Sequence, residues 1–267
     1  MSTIQELMNL KGRRALITGA AGGLGSVMAH TLAELGADLI LVDRPGIDFG
    51  PLAASLKTLW GVKVWHYYCD LEKNDERQEL LELIENEHKL LNVLINNAAF
   101  VGATDLKGWA TSFEEQTIET WRRALEVNLT APFHLSQGLT PLLKRSTGAS
   151  IINIGSIYGE YGPDWELYEN TTMANPAAYG ASKGGLNQLT RWLATTLAPD
   201  IRVNAISPGG IFRNQPDIFV KRYESRTPLR RMANEDDFRG ATAYLASDMS
   251  SYVSGQVLSV DGGWGSW

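Results

Sequence analysis

Short apolar runs alternate along this chain with stretches whose apolar residues recur at helical spacing, and the alternation persists to the last strand. Residues 14–18 (RALIT) read as a strand, 18–25 as a glycine-rich turn and 26–35 as a helix. The next apolar run, 38–42 (DLILV), ends at Asp43 and is followed by helical spacing over 51–60. A strand at 62–69, a charged amphipathic helix at 74–88 and a buried strand at 91–95 (LNVLI) come next, closed by Asn96-Asn97-Ala98-Ala99. A long helical stretch at 118–143, with a bend expected at Pro132, leads to a strand at 150–154 (SIINI) ending in Gly155-Ser156. Residues 177–197 read as helix, 202–206 (RVNAI) as a sixth strand, 235–246 as a helix with an acidic first turn and 256–260 as the last strand. Such regular alternation predicts an α/β domain with a doubly wound, seven-stranded parallel sheet and helices on both faces. Right-handed crossovers bring the strand C-termini onto one edge, and a ligand is expected there. No internal repeat, low-complexity tract or linker interrupts the pattern, so residues 1–267 read as one domain.

Chemistry enters at the turns. The run TGAAGGLG at 18–25 lets backbone approach a pyrophosphate closely and aims helix N–H groups and the positive end of the helix dipole at it. Asp43 lies 18 positions beyond Gly25, where a dinucleotide fold places the carboxylate that binds the adenosine ribose. A single Rossmann domain is therefore the expected fold. Asp70, just past its strand, is placed to reach the adenine. Tyr179 and Lys183 stand four residues apart at the start of helix 177–197, so one face carries both. A fixed ammonium nearby favours phenolate and lowers the tyrosine pKa from its ordinary value of about 10. Tyr179 then becomes an acid or base usable near neutral pH. Asn128 falls inside a helix, where asparagine is unfavourable without a partner.

Composition narrows the setting. An apolar share of 44% suffices for a large core, and a formal charge of −6 with no Lys/Arg block argues against nucleic acid. No stretch approaches the roughly 20 apolar residues of a membrane span. The N-terminus has neither the basic start nor the apolar core of a signal peptide, and a cytoplasmic protein is expected. The lone cysteine, Cys69, excludes an internal disulfide framework and a cysteine-rich zinc site, fits a reducing compartment and reads as a buried structural thiol. No metal site is expected.

These residues resemble the short-chain dehydrogenase/reductase family in its short single-domain branch, over nearly the whole chain. The resemblance rests on TGAAGGLG at 18–25, NNAA at 96–99, Asn128, Ser156, YGASK at 179–183 and PGG at 208–210, in family order. Gly22 and Gly23 let the turn match the longer, sugar-nucleotide-modifying branch as well, but the 57 residues after Gly210 are too few for that branch's substrate domain. The resemblance implies Tyr179 as the acid/base, Lys183 as its pKa-lowering neighbour and ribose ligand, and Ser156 as the donor that orients the substrate oxygen. Asn128 would hold a water linking Lys183 to solvent. A dinucleotide would lie against Gly19, Gly22, Gly23, Leu24 and Gly25, with Asp43, Asp70 and Leu71 at its adenosine end. Asn97, Ala98, Tyr179, Lys183, Pro208, Gly209 and Ile211 would bind it as well. NAD is expected ahead of NADP, because Asp43 would repel a 2′-phosphate; Arg44 beside it is the counter-argument. A homo-oligomer, tetramer or dimer, is implied as well.

Two departures from the family pattern stand out. Tyr179 follows Ser156 by 23 positions, well beyond the family's usual spacing. The excess, residues 159–175, holds Tyr161, Trp165 and Tyr168 and is expected over the active site, as is a substrate loop at 211–234. Where the family commonly has a threonine to hold the nicotinamide amide, this chain reads Ile211-Phe212-Arg213-Asn214. Residues 213–231 carry a net charge of +4, and Arg213 is expected to recognise an anionic substrate group, with Tyr161 and Trp165 as an aromatic wall. A softer resemblance links the insertion and the closing VDGGW to members associated with bacterial surface-glycan and flagellin-sugar synthesis. The expected activity is NAD-dependent oxidoreduction of a secondary alcohol or ketone, with a sugar or sugar phosphate as the expected substrate. Reduction of carrier-bound 3-oxoacyl groups and non-catalytic dinucleotide sensing are the alternatives.

Overall fold

The computed structural model describes residues 1–101 and 106–267. Its strands are β1 (Arg14–Thr18), β2 (Asp38–Asp43), β3 (Val64–Tyr68), β4 (Val93–Asn96), β5 (Ala149–Ile154), β6 (Ile201–Pro208) and β7 (Val257–Val260). Its helices are α1 (Ile4–Met8), α2 (Gly23–Glu34), α3 (Gly50–Trp60), α4 (Asn74–Glu87), α5 (Ile118–Leu125), α6 (Ala131–Lys144), α7 (Ala177–Thr196), α8 (Asp217–Arg226) and α9 (Arg239–Ala246). The strands form one seven-stranded sheet in the order β3-β2-β1-β4-β5-β6-β7, and every neighbouring pair is parallel. The expected doubly wound α/β fold is therefore present.

Pleating sends successive side chains to opposite faces, and the two cores record it. Ala15 and Ile17 of β1, with Leu39 and Leu41 of β2, join the core under α2, α3 and α9. Leu16, Ile40 and Val42 join the core under α4, α6 and α7. Burial on both faces is why β2, β4 and β5 read as nearly continuous apolar runs. A buried chain of amides fixes α7 against the sheet: Asn96 donates to Asn153 (2.9 Å), and Asn153 donates to Thr190 of α7 (2.9 Å). Strand order reverses between β1 and β4, which opens a crevice above their C-terminal ends.

The structure departs from the sequence pattern at three places. The stretch 118–143 is not one helix bent at Pro132; α5 and α6 are joined by a π turn, Glu126–Thr130, that contains Asn128. Pro132 offers no N–H to the Asn128 carbonyl, and the ladder widens just before it, with Ala131 donating to Glu126. Proline itself sits in the first turn of α6, where its missing donor costs nothing further. Residues 235–246 begin as a 3-10 turn, Glu235–Phe238, capped by Asn234 and Asp237. Between β6 and α9, α8 is a helix of its own that buries Phe219 and Tyr223. Among the described residues, no helix is long and apolar enough to cross a membrane.

Candidate active site

The glycine turn lies at the mouth of the crevice, and steric limits explain its composition. Gly19 has φ +62, and a Cβ there would stand 2.9 Å from Ala98 Cα. A Cβ on Gly25 would fall 2.1 Å from the Gly19 carbonyl oxygen, so no side chain fits. Gly22 is the N-cap of α2 and brings no capping side chain, which leaves the first-turn N–H groups of Gly23, Leu24 and Gly25 free of any side-chain cap. Thr18 holds the turn to β4: its hydroxyl accepts from the N–H groups of Asn97 and Ala98, both at 3.1 Å. The Asn97 amide donates to the Thr18 and Gly19 carbonyls at 2.9 and 3.0 Å. Thr18 was legible as part of the turn motif, but its role as the clamp between strands is set by the β1–β4 pairing.

Asp43 ends β2 beside this turn. Its Oδ2 accepts from Ala21 N–H (3.0 Å) and its Oδ1 from Arg44 N–H (2.8 Å), so the carboxylate is oriented and each oxygen keeps a lone pair. Asp70 accepts from Glu72 N–H, while the Leu71 side chain is buried and its carbonyl accepts from Arg77. Gly209, past Pro208, donates to Val260 at 3.0 Å, and a bridge between Ile211 and Ala233 pins the start of the following loop. A tight uncapped helix start facing an oriented carboxylate fits the diphosphate and ribose of a dinucleotide.

Tyr179 and Lys183 sit in the first two turns of α7, and Ser156 lies two residues past the end of β5, capping a 3-10 turn at Ile157–Gly159. Lys183 is only 2% exposed; its Nζ donates to the Ile154 carbonyl at 2.7 Å and lies 5.8 Å from the centre of the Tyr179 ring. Burial pulls the lysine pKa down to about 8. The phenol moves the other way: burial raises its pKa, hydrogen bonding from Ser156 lowers it, and Tyr168 raises it. The expected lowering of the Tyr179 pKa by the Lys183 ammonium is therefore not what this chain shows, because burial is the largest cause acting on the phenol. Ser156 Oγ accepts from Tyr158 N–H at 3.2 Å, which orients the hydroxyl.

Asn128 is fully buried and its amide is committed to protein. It accepts from Phe100 N–H (2.6 Å) and donates to the Phe100 carbonyl (3.2 Å) and to Ser182 Oγ (3.0 Å). The side chain therefore ties the strand-β4 exit to α7, while the Asn128 backbone carbonyl lacks its regular helical donor because position 132 is proline.

Residues 159–175 do not form a free flap. Tyr168 is buried with Phe219, Tyr223 and Trp264 in a satellite core, and its hydroxyl meets that of Tyr158 at 2.6 Å and the Asn175 amide at 3.4 Å. Tyr161 donates to the Gly265 carbonyl, which ties the C-terminal turn to the insertion, while Trp165 stays 56% exposed. Part of the positive charge of 213–231 is paired: Arg226 meets Asp164 at 3.4 Å and Arg231 meets Asp237, while Arg222 donates to the neutral backbone carbonyl of Glu169. Arg213 pairs with Glu235, and both lie against Gly23. Loop 211–234 thus folds its first residues back over the glycine turn, which places Arg213 beside Gly23. Sequence gave no signal for the Tyr158–Tyr168–Asn175 cluster or for Glu235. Among the described residues, no group of three or more His, Cys, Asp or Glu side chains is placed to hold a metal ion.

Comparison with known proteins agrees with this geometry. A family model described as enoyl-(acyl carrier protein) reductase matches residues 19–265. A tropinone reductase homolog of Arabidopsis thaliana is 34% identical, covering 96% of this chain and 93% of its own. Post-translational flagellin modification protein A of Campylobacter coli is 29% identical over 96% of this chain and 99% of its own. The NADPH-dependent 3-quinuclidinone reductase of Rhodotorula rubra superposes with a TM-score of 0.87 at 25% identity, covering 100% of this chain and 96% of its own. A short-chain dehydrogenase of Leptospira borgpetersenii with bound NAD+ superposes with a TM-score of 0.83 at 33% identity, covering 99% and 96%. With its parallel sheet, glycine turn and Ser156–Tyr179–Lys183 constellation, the chain belongs to the short-chain dehydrogenase/reductase family, oxidoreductases that act on CH–OH groups.

Proposed function

We propose that this protein is an NAD-preferring oxidoreductase that interconverts a secondary alcohol and a ketone on a polyhydroxylated, sugar-like substrate. The observation that carries the cofactor preference is the Asp43 carboxylate, held by Ala21 and Arg44 N–H groups at the ribose end of the crevice. Both oxygens can accept from ribose hydroxyls, and a 2′-phosphate in their place would meet like charge. When bound, a nicotinamide dinucleotide supplies the redox chemistry. The chain's own work is acid–base and positional. Tyr179 Oη takes the proton from the carbinol oxygen in oxidation and returns it in reduction. Ser156 hydroxyl donates to the same oxygen and fixes its position. Lys183 Nζ, anchored on Ile154, keeps donors available for ribose hydroxyls. Exposed Tyr161 and Trp165 on the insertion offer flat apolar faces suited to a sugar ring.

Similarity to a 2-dehydro-3-deoxy-D-gluconate 5-dehydrogenase of Formosa agariphila, 31% identical over 97% of this chain and 94% of its own, supports the carbohydrate reading. A cytoplasmic, homo-oligomeric enzyme completes the proposal, in keeping with a buried, unpaired Cys69. Purified protein assayed with NAD and with NADP against sugars, sugar phosphates and nucleotide sugars tests the reading. Equal kcat/KM for the two cofactors would remove the Asp43 assignment, and turnover confined to carrier-bound acyl ketones would remove the sugar assignment.

A further inference from the structure

The first turn of α2 is met from outside by an ion pair that neither strand order nor motif explains. A Cβ added to Gly23 would lie 2.8 Å from Glu235 Oε1 and 3.1 Å from Arg213 Nη2. Arg213 and Glu235 are paired with each other, and both keep part of their surface exposed. Arg213 leaves β6 by way of Pro208, Gly209 and Gly210, and its own N–H donates to Gln215 at 2.6 Å, which fixes the loop. Glu235 opens the 3-10 turn ahead of α9 and is held from behind by the Asn234–Asp237 cap. Two different segments thus deliver a carboxylate and a guanidinium to the same uncapped helix start.

A carboxylate at that place is an anion at the positive end of a 12-residue helix. It has the charge and hydrogen-bonding capacity of the group that the turn is shaped to receive. We infer that Glu235 is an internal stand-in for the cofactor diphosphate and that Arg213 is a diphosphate ligand, passed from Glu235 to the dinucleotide when it binds. This rests on the reading of the chain as a dinucleotide enzyme. It also gives Ile211-Phe212-Arg213-Asn214 a use: where the family's threonine is missing, an arginine reaches the phosphates instead. A planar guanidinium suits the exchange, because it meets carboxylate and phosphate with the same pair of parallel N–H donors.

The test is binding of ADP-ribose, which carries the diphosphate and no nicotinamide, followed by calorimetry on the full chain without substrate. Arg213→Ala should weaken ADP-ribose about tenfold, the scale of losing one charge-assisted contact at a half-exposed site. Arg213→Lys, which keeps charge but not the planar fork, should fall between. Glu235→Gln removes the competing charge with little change of shape and should tighten ADP-ribose by about threefold or more. Thermal unfolding midpoints near that of wild type confirm that each variant is folded. Arg213→Ala binding ADP-ribose within twofold of wild type overturns the assignment, as does a change confined to KM for a phosphorylated substrate. Failure of Glu235→Gln to tighten binding overturns the exchange. A wild-type protein that binds no ADP-ribose would sink the dinucleotide reading together with this one.

Discussion

At the scale of single residues, the site depends on two groups whose burial drives both toward neutrality. Tyr179 is raised by burial and Lys183 is drawn down to about 8, so the unliganded chain holds a neutral phenol beside a lysine that titrates close to physiological pH. Tyr179→Phe removes the proton-transfer group and little else; turnover should fall by about a hundredfold or more, with ADP-ribose affinity unchanged. Because the phenol must lose its proton to act as base, alcohol oxidation should gain with rising pH across the neutral and alkaline range, while ketone reduction, which needs the protonated phenol, should hold level until pH passes the raised pKa. Initial rates in both directions, measured against pH, check this. Lys183 carries a stability cost with a definite sign. Its folded pKa lies below the ordinary value of 10.5, so between about pH 8 and 10.5 the unfolded chain binds the extra proton and wild-type stability rises with pH. Below that window the buried ammonium is a penalty. Lys183→Met should therefore lose activity yet stabilise the cofactor-free chain at pH 7, by on the order of 1 to 3 kcal/mol. Urea unfolding at pH 7 and pH 10 reads both the gain and its disappearance.

At the scale of elements, the site is built where turns are too tight for side chains or too wide for a regular helix. Gly25→Ala would drive a methyl group into the Gly19 carbonyl, so the turn must open. The expected result is a loss of about 2 kcal/mol of stability or more, together with ADP-ribose binding, read by unfolding and calorimetry. The π turn works in the opposite sense, because the widened ladder presents Asn128 to Phe100 and Ser182 with all three contacts made. The motif residues in the first of these elements were legible because sterics act locally, within eight positions. The π turn was not, since Pro132 marks an irregularity without saying which residue absorbs it. The insertion was legible as an excess of length but not as a packed unit. Its anchor Tyr168 finds Phe219, Tyr223 and Trp264 only after α8 and the C-terminal turn have folded onto it.

At the scale of the whole molecule, α5, α6 and α7 leave large apolar side chains facing outward: Ile118, Trp121, Phe133 and Trp192 are all exposed. Single exposed apolar residues are ordinary, but this set lies on helices beside one another on the catalytic face of the sheet. A two-fold interface between copies would cover them with the same patch. Sedimentation at micromolar concentration should show a dimer or tetramer, and Trp192→Glu should shift it toward monomer while Tyr179 chemistry persists. A wild-type protein that sediments only as monomer would refute the interface.

Sequence by itself determined the parallel sheet, most of its helices and the candidate acid–base residues, because periodicity, glycine sterics and the i, i+4 geometry of Tyr179 and Lys183 act along the chain over short distances. It also determined that Asp43 stands at a strand end near the glycine turn. Tertiary structure alone decided where charge is spent. The basic run 213–231 reads as an anion site until Asp164, Glu235 and Asp237 are brought beside Arg226, Arg213 and Arg231 from other segments. It likewise decided the direction of the Tyr179 and Lys183 pKa values, which follow from desolvation. Pairing and desolvation both depend on what folds against a residue from far along the chain, and no local pattern encodes that.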